Sequence, residues 1–395
     1  MRGSFRRNGT RAVIFALILV IATVGAWQTV SAKDNQEQSL ISTIYHSITS
    51  FFAGSDGISD PLFTGEVRAE VDKKQLVAEK EVPEEPGFQT NDLITSSTYV
   101  FSAGTDTLVD MSSDTTQIIV PGSDDDSSTL QNIGFEFWFD GVRYTQFGVN
   151  ANGYLRLGAV ATVSQSWVNA LATTNDSPKI APFWDDLCVG NNGKVHYKVV
   201  GDAPNRKLVI EFQNMKITRG TGCGGTGAGT FQVWLHESAG SVSPGAVQFV
   251  YGAGLTGSND GGYSVGMQSG AASNYASVTT SSNTVSYSTA NNSQANAIAE
   301  GTSYTFTPNI PSAAPSGLNF TDVTAVSQTL NWTDNATNET GYAIYRSIDG
   351  TNYSFVSQTA ANATSYTDTG LQPSTNYSYR VHAVTEGVIS SAISG

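Results

Sequence analysis

From about residue 95 onward, hydrophobic and polar residues alternate in short runs, and Gly, Asn, Asp or Ser interrupts the runs roughly every ten residues. Alternation with a period of two is typical of half-buried β-strands. In one such run, Phe135, Phe137 and Phe139 share one face of the strand, and Glu136 and Trp138 share the other. We therefore predict strands here and expect the phenylalanine face to be buried.

Turn residues and composition point to the same fold class. The pairs Asp140-Gly141 and Asn152-Gly153 tolerate the positive φ that tight hairpins need. The chain contains 16 Tyr, 18 Phe and 6 Trp but only 14% charged residues, which favours strands over helices. A length of 395 residues allows two or three domains. We predict an all-β protein with two tandem β-sandwich domains.

The first 32 residues have the pattern of an export signal. Four arginines precede the apolar run 12–26, and small residues at 30–32 offer a cleavage site. We predict a cleaved signal peptide over 1–32, with an uncleaved membrane anchor as the alternative. Since no later segment is apolar enough to span a bilayer, we expect a secreted or cell-surface protein.

Residues 33–90 differ from both flanks. Apolar residues between positions 40 and 52 recur at helical spacing, and a charged tract with paired prolines follows them. We predict a linker of low order that begins with a short amphipathic helix. That helix either lies on a membrane or a partner, or it covers the sandwich or forms part of a stalk.

The charge balance argues against nucleic acid as a partner. The chain has 34 Asp and Glu against 20 Lys and Arg, a net charge of −14, and no basic cluster stands out. Clustered Lys and Arg are what bind the phosphate backbone of a nucleic acid. The negative net charge of this chain repels that backbone instead. We expect no nucleic-acid partner.

Cys188 and Cys223 are the two cysteines of the chain. In an exported protein an even number favours a disulfide over reactive thiols, so we predict this bridge. The cysteines lie 35 positions apart, and closing that loop is worth about 3–4 kcal/mol of chain entropy. The four histidines are scattered without zinc-ligand spacing, and no structural zinc is expected.

The segments IGFEFWFDGVRYTQFGVNANGYLRLG (133–158) and IAPFWDDL (180–187) carry a family resemblance. Together they resemble a β-sandwich module of bacterial secreted and surface proteins. The second segment also resembles part of the nidogen-type extracellular domain. The resemblance implies that residues 91–310 form a sandwich with an extracellular interaction or matrix role and no agreed catalytic residues.

Residues 311–395 contain the motifs LNWTD and LQPSTNY. These motifs resemble the buried-tryptophan strand and the corner motif of a fibronectin type III domain. The resemblance implies a core that contains Trp332, Tyr345, Leu371 and Tyr377, with the Tyr377 hydroxyl bonded to the backbone of the turn just upstream. Because the chain stops early in the expected last strand, we expect a domain truncated there or a longer natural chain.

Two short patterns match enzyme motifs without the context that those motifs need. Gly262 to Gly266 matches the nucleophile pattern of hydrolases, but Ser264 lies within an alternating strand rather than at a strand-to-helix turn. The glycines at 220–225 match a dinucleotide-binding spacing, but no helix follows them. We expect no catalytic residue, no cofactor-binding residue and no enzymatic activity.

Acidic residues are the candidate metal ligands. Asp185 and Asp186 are adjacent, so in a strand they would face opposite sides and make a poor acid–base pair. In a turn they would offer oxygens of the kind that calcium binds, with further oxygens from Asp124, Asp125 and Asp126 or from Asn259-Asp260. The candidate ligands are Asp124, Asp126, Asp185 and Asp186. A solvated acidic turn is the alternative. No cofactor other than this calcium is expected.

Trp167 and Trp184, with Tyr144 and Tyr154, are candidates for a platform that stacks on sugars. Aromatic residues of a sandwich are more often in its core, which is the competing interpretation. Exposed coplanar rings would favour carbohydrate binding, and buried rings would count against it.

These observations predict a non-enzymatic, modular binding or adhesion protein that is secreted or held at the cell surface. Its first sandwich contacts an extracellular protein or glycan, and the fibronectin-like domain serves as a spacer or adhesive unit. The alternative is a carbohydrate-binding accessory region of a secreted polysaccharide-degrading enzyme.

Overall fold

The computed structural model describes residues 94–95, 97–162, 167–217, 222–240, 242–257 and 261–395. The predicted signal peptide (1–32) and linker (33–90) lie outside these ranges. Every regular element of the described ranges is a β-strand, which confirms the all-β prediction. Over the same ranges, no helix is long and apolar enough to cross a membrane.

The first sandwich is built from fourteen described strands: β1 (Tyr99–Thr105), β2 (Thr116–Ile119), β3 (Gln131–Phe139), β4 (Val142–Asn150), β5 (Tyr154–Leu157), β6 (Lys179–Trp184), β7 (Cys188–Val200), β8 (Lys207–Lys216), β9 (Gly229–His236), β10 (Val247–Tyr251), β11 (Ser264–Gln268), β12 (Tyr275–Thr279), β13 (Thr284–Ser286) and β14 (Thr302–Pro308). They form two seven-stranded antiparallel sheets. The strand orders are β1-β14-β10-β9-β8-β7-β2 and β13-β12-β11-β6-β5-β4-β3.

The phenylalanine face of β3 lies in the core of this sandwich, as predicted. Phe137 and Phe139 are fully buried, and Phe135 is nearly so. In the same core, the rings of Phe183 and Tyr263 stack with centroids 4.2 Å apart. Burying a side chain of this size contributes about 1.5–3 kcal/mol, so the packed aromatic rings are a main source of stability.

Residues 106–115 cover the outer face of the first sheet, over an apolar cluster around Trp234. At the end of this segment, Thr115 Oγ1 lies 3.0 Å from His196 Nδ1. The other ring nitrogen of His196, Nε2, lies 2.7 Å from Glu211 Oε2. The Thr115 hydroxyl, the His196 imidazole and the Glu211 carboxylate thus form a row of hydrogen-bonding groups like that of some hydrolases. His196, however, is fully buried. The array holds the covering segment on the sheet.

The second sandwich is built from seven described strands: β15 (Ser316–Thr321), β16 (Ser327–Thr333), β17 (Gly341–Ser347), β18 (Ser354–Gln358), β19 (Ser365–Thr369), β20 (Ser378–Val384) and β21 (Ile393–Ser394). A three-stranded sheet, β15-β16-β19, is paired with a four-stranded sheet, β18-β17-β20-β21.

Its core contains the tryptophan that the sequence singled out. Trp332 is 4% exposed and packs 5.3 Å, between ring centroids, from the fully buried Tyr342. Tyr377 packs against this core, and its hydroxyl accepts a hydrogen bond of 3.0 Å from the backbone N–H of Gln372. Leu371, just upstream, is also buried.

Tyr345 does not lie in the core of the second sandwich, where the sequence placed it. In β17, Tyr342 and Ile344 point into that core, so the alternation of the strand directs Tyr345 to the opposite face. There it packs with Ala343 and Val384 in a separate apolar cluster, which includes Trp138 of the first sandwich. The expectation was wrong because the motif placed the strand but did not assign its two faces.

Candidate functional site

The second face of β3 is buried under the second sandwich. Trp138 is 0% exposed and belongs to an apolar cluster with Ala343, Tyr345 and Val384. Its ring meets the ring of Phe355 edge-on, with centroids 6.3 Å apart. By their contacts, the two sandwiches belong to one compact unit. Strand β3 therefore contributes to the first core with one face and to the domain junction with the other.

Hydrogen bonds reinforce the junction at the hairpin turn between β3 and β4. This turn has the predicted positive φ, 75° at Gly141. The Gly141 N–H donates to the Glu386 carbonyl oxygen at 2.9 Å, and the Gly141 carbonyl accepts from Gln358 Nε2 at 2.8 Å. A further bond of 3.4 Å runs from the Ile389 N–H to the Ser238 carbonyl oxygen.

The carboxylate of Glu136 also connects the two sandwiches. Its Oε1 accepts from Arg143 Nη2 at 2.5 Å, and its Oε2 accepts from the hydroxyl of Tyr345. Burial, and after it the charge of Glu136, raises the pKa of Tyr345, so the phenol remains a neutral donor. Arg143 in turn lies over the ring of Phe355, 4.5 Å from its centroid.

Beside these contacts the sandwiches border an open cleft of about 780 Å³, which we call the junction cleft. Sites for small ligands typically have volumes of about 300–1,000 Å³. The first sandwich lines the cleft with Trp138, Arg206 and Glu237, and the second lines it with Tyr353 and Arg380, among others. The cleft therefore exists only where the two domains meet.

Charged groups of the junction cleft are held in fixed positions. Arg206 donates to both carboxylate oxygens of Glu237, at 2.5 and 2.9 Å. This hydrogen bonding raises the pKa of Arg206. On the opposite wall, the guanidinium of Arg380 lies over the ring of Tyr353, 3.9 Å from its centroid.

A glycine pair brings the two backbones together at the junction. A Cβ atom at Gly245 would lie 2.0 Å from the carbonyl oxygen of Gly387, far inside van der Waals contact. We expect Gly245→Ala to reduce the free energy of unfolding by about 1–3 kcal/mol more than a positive-φ substitution elsewhere does. Gly370→Ala is the matched control, because Gly370 has a similar φ of 72° and open space around it. Urea denaturation measures both, and equal losses would contradict a packed junction.

Glu386, at the junction, is expected to make stability depend on pH. Burial, and then the charge of Asp140, raises the pKa of Glu386 from 4.5 to about 7. The folded chain therefore binds this proton more tightly than the unfolded chain, and stability falls as pH rises from about 4.5 to 7.

Glu386→Gln removes this dependence. We expect the variant to exceed the parent protein in stability by up to about 3 kcal/mol at pH 8 and to match it at pH 4. Urea denaturation at the two pH values measures the difference. The exposed Glu300 provides the control, since Glu300→Gln is expected to change stability by less than about 0.5 kcal/mol at either pH. A Glu386→Gln effect independent of pH would contradict the assignment.

Ser264 is a buried residue of strand β11 and does not present a nucleophile. It is 0% exposed. Its hydroxyl donates to Asn292 Oδ1 at 2.7 Å and accepts from Asn169 Nδ2 at 3.1 Å. None of the hydrogen bonds found in the described part of the chain joins Ser264 to a histidine. The hydrolase-like spacing is thus a feature of a sheet interior.

The structure brings together part of the predicted calcium ligands. Carboxylate oxygens of Asp124, Asp125 and Asp186 all lie within 4.8 Å of one another. Asp126 and Asp185, which the sequence suggested, are not in this group. Asp125, one of the three consecutive aspartates that the sequence pointed to, takes part instead of Asp126, and its backbone has a positive φ of 52°. Calcium binding by these aspartates stays a prediction.

The predicted sugar-stacking platform does not form from its named rings. Trp184 and Tyr154 are buried and pack against each other, with centroids 4.8 Å apart. Leu171 belongs to the cluster that covers them, while Tyr144 is half-buried. Trp167 alone of the four is well exposed, at 43%. The core interpretation therefore applies to Trp184, because a loop covers the outer face of its strand.

Cys188 and Cys223 form a disulfide, as predicted. Cys188 is buried at the start of β7, and Cys223 lies in the glycine-rich loop before β9. Lys216 Nζ donates to the Gly224 carbonyl oxygen at 2.9 Å and holds the same loop. The described part of this loop leads into strand β9, so it lacks the helix of a dinucleotide site.

Sequence reasoning missed the junction cleft. The available signal was Trp138, a large apolar residue on the face of β3 opposite the phenylalanines. A tryptophan there, on a strand whose other face already fills a core, indicates a second covering layer. The covering residues come from positions about 200 further along the chain, which local periodicity does not reveal.

Comparison with known proteins identifies both sandwiches. A family model described as NIDO related matches residues 98–308, and a fibronectin type III domain model matches residues 313–394. These matches confirm the two resemblances drawn from the motifs. Both are non-catalytic types of module that are typical of extracellular proteins.

Solved structures that match part of the chain include fibronectin type III domains. A Fn3-like protein from Clostridium thermocellum is 32% identical, and the match covers 21% of this chain and 86% of that chain with a TM-score of 0.19. A fibronectin type III domain of human collagen XX is 24% identical, with 22% and 93% covered and a TM-score of 0.20. No curated protein matches the chain.

Proposed function

We propose, on the premise that this chain belongs to the NIDO-related family, that it is a secreted or cell-surface binding protein without catalytic activity. The NIDO-related sandwich contacts an extracellular ligand or matrix component. The fibronectin type III domain holds and extends that surface. The observation that carries the proposal is the junction: two modules of extracellular type pack along β3 and share one cleft.

The residues that resemble enzyme motifs support a non-catalytic role. Ser264 is buried and bonded to asparagines. His196 is buried, and both of its ring nitrogens already lie at hydrogen-bond distance from Thr115 and Glu211. Neither arrangement leaves a base and a nucleophile open to a substrate.

The alternative function is an accessory carbohydrate-binding region of a secreted enzyme. The aromatic platform predicted for it does not form. Trp184 is 2% exposed, and a ring that stacks on a sugar needs an open face. Trp167 remains exposed and is not a member of the apolar cluster that contains Trp184 and Tyr154. The platform therefore gives no support to this alternative.

Binding and hydrolysis assays on one preparation test the proposal. The purified protein is incubated with immobilised matrix proteins, insoluble polysaccharides and intact bacterial cells, and in parallel with ester, peptide and glycoside substrates. We expect saturable binding to at least one surface and no turnover. Turnover that disappears in Ser264→Ala or His196→Gln would contradict a non-catalytic role, and absence of binding to all three classes would contradict a binding role.

A further inference from the structure

The junction cleft has balanced charge. Its charged lining residues are two glutamates, Glu136 and Glu237, and two arginines, Arg206 and Arg380. Three of the four are paired within the protein, because Glu136 binds Arg143 and Arg206 binds Glu237. A fixed anion would meet the glutamates and a fixed cation the arginines, so the cleft suits a ligand without net charge.

Polar groups in the cleft retain bonding capacity. The indole N–H of Trp138 is buried and has no hydrogen-bond partner among the described residues. An N–H donor in this state costs roughly 1–3 kcal/mol unless a ligand or a water molecule accepts its proton. Trp138 is among the residues that line the cleft, which places this unpaired donor beside the space that a ligand would occupy.

His382 supplies an acceptor in the same cleft. Its Nδ1 lies 2.8 Å from the carbonyl oxygen of Ser390, which only accepts, so Nδ1 carries the ring proton. Burial lowers the pKa of His382, and the imidazole is therefore neutral at neutral pH. Its Nε2 is left as an acceptor on a residue that lines the cleft.

Aromatic rings complete the lining. Tyr353 is half-buried, and Arg380 lies over its ring, which fixes the orientation of the ring in the wall. Phe135 and Tyr345 also border the cleft but are each only 7% exposed, so Tyr353 provides the accessible ring surface. Flat rings beside fixed donors and acceptors suit a molecule with an apolar face and a hydroxylated edge.

We propose that the junction cleft binds a neutral glycan segment of one to three sugar units. A pyranose ring has C–H groups that pack on aromatic rings, and its hydroxyls both donate and accept hydrogen bonds. The donor on Trp138 and the acceptor on His382 match such hydroxyls, and a space of about 780 Å³ accommodates an oligosaccharide of this length. The inference rests on the proposed binding function and names its ligand class.

Calorimetric titration of the full chain tests the site. The probes are cellotriose, xylotriose, maltotriose and N-acetylchitotriose, with trigalacturonic acid as the anionic comparison. We expect 1:1 binding of at least one neutral trisaccharide. Tyr353→Ala and Arg380→Ala are each expected to weaken it at least about tenfold, since both side chains line the cleft; Arg380 is exposed, and Tyr353 also packs against the junction cluster. Thermal unfolding of the variants checks that they remain folded.

Trp167→Ala is the matched control, because Trp167 is an exposed aromatic residue of the first sandwich that is not among the residues lining the cleft. It should bind as the parent does. Binding lost only in Trp167→Ala would place the site elsewhere and overturn the inference. Binding of trigalacturonic acid alone would overturn the charge argument, and failure of every trisaccharide to bind would overturn the site.

The same experiment separates failure of the site from failure of the function. Chromatography of the trisaccharides after incubation should recover them intact, and cleavage would contradict the non-catalytic function whatever the cleft binds. If instead matrix or cell binding persists in Tyr353→Ala and Arg380→Ala while no trisaccharide binds, the binding function stands and the glycan site fails. Selective binding to matrix proteins would then indicate a protein ligand.

Discussion

Replacing Trp138 by alanine is expected to lower the free energy of unfolding by about 3–5 kcal/mol, the range for loss of a buried tryptophan. Trp138 is 0% exposed and packs against Phe355 and Tyr345 of the second sandwich. Because this cluster joins the domains, its loss should also separate one cooperative unfolding transition into two. Urea denaturation, followed by fluorescence and by circular dichroism, measures both effects.

Trp167→Ala is the control for this prediction. Trp167 is 43% exposed, and its removal should change the free energy of unfolding by less than about 0.5 kcal/mol and leave one transition. If Trp138→Ala were as stable as Trp167→Ala, the apolar junction would not contribute to stability, and the description of two docked sandwiches would fail.

Removing the disulfide is the second large effect. We expect the double variant Cys188→Ala, Cys223→Ala to lose about 3–4 kcal/mol of unfolding free energy, because the bridge closes a 35-residue separation in the unfolded chain. The loss should be measurable as a shift of the urea midpoint.

Reductant provides the matched control for the disulfide. Dithiothreitol should destabilise the parent protein by a similar amount and should leave the double variant unchanged, since that variant has no cysteine. A parent protein that is equally stable with and without reductant, and equal to the double variant, would contradict a stabilising bridge.

Local patterns predicted the strands and their inner faces. Phe137 and Phe139 are buried in the first core because the alternation of β3 is a property of consecutive residues. The turn at Gly141 and the corner at Tyr377 follow from backbone preferences that a few residues encode. Trp332 is buried as the fibronectin resemblance implied.

Contacts between distant segments were not predictable in the same way. Tyr345 was placed in the wrong core because its motif gives the strand but not which domain covers its outer face. The sequence left two interpretations of Trp184 open, a sugar-stacking ring and a core ring. It did not reveal that the loop around Leu171 covers this ring. The junction cleft depends on pairing residues of two domains, and no single segment carries that information.

The acidic cluster of Asp124, Asp125 and Asp186 was predictable from the sequence only in part. The run Asp124–Asp126 and the pair Asp185-Asp186 both held candidates, and the group that converges takes Asp124, Asp125 and Asp186 from them. Asp125 has a φ of 52°, a backbone conformation that is uncommon for a non-glycine residue. Sequence spacing alone does not fix such a conformation at a non-glycine residue.

Amide hydrogen exchange at Gly141 tests the docked junction most directly, because its N–H donates across the domain boundary to the Glu386 carbonyl oxygen at 2.9 Å. The Ser128 N–H, bonded at 2.8 Å to the Val149 carbonyl oxygen within the first sandwich, is the internal reference. Both amides should be protected in the full chain, and only Gly141 should lose protection in a chain that ends at residue 310. Exchange of Gly141 in the full chain at the rate of an unstructured peptide, with Ser128 still protected, would contradict the account.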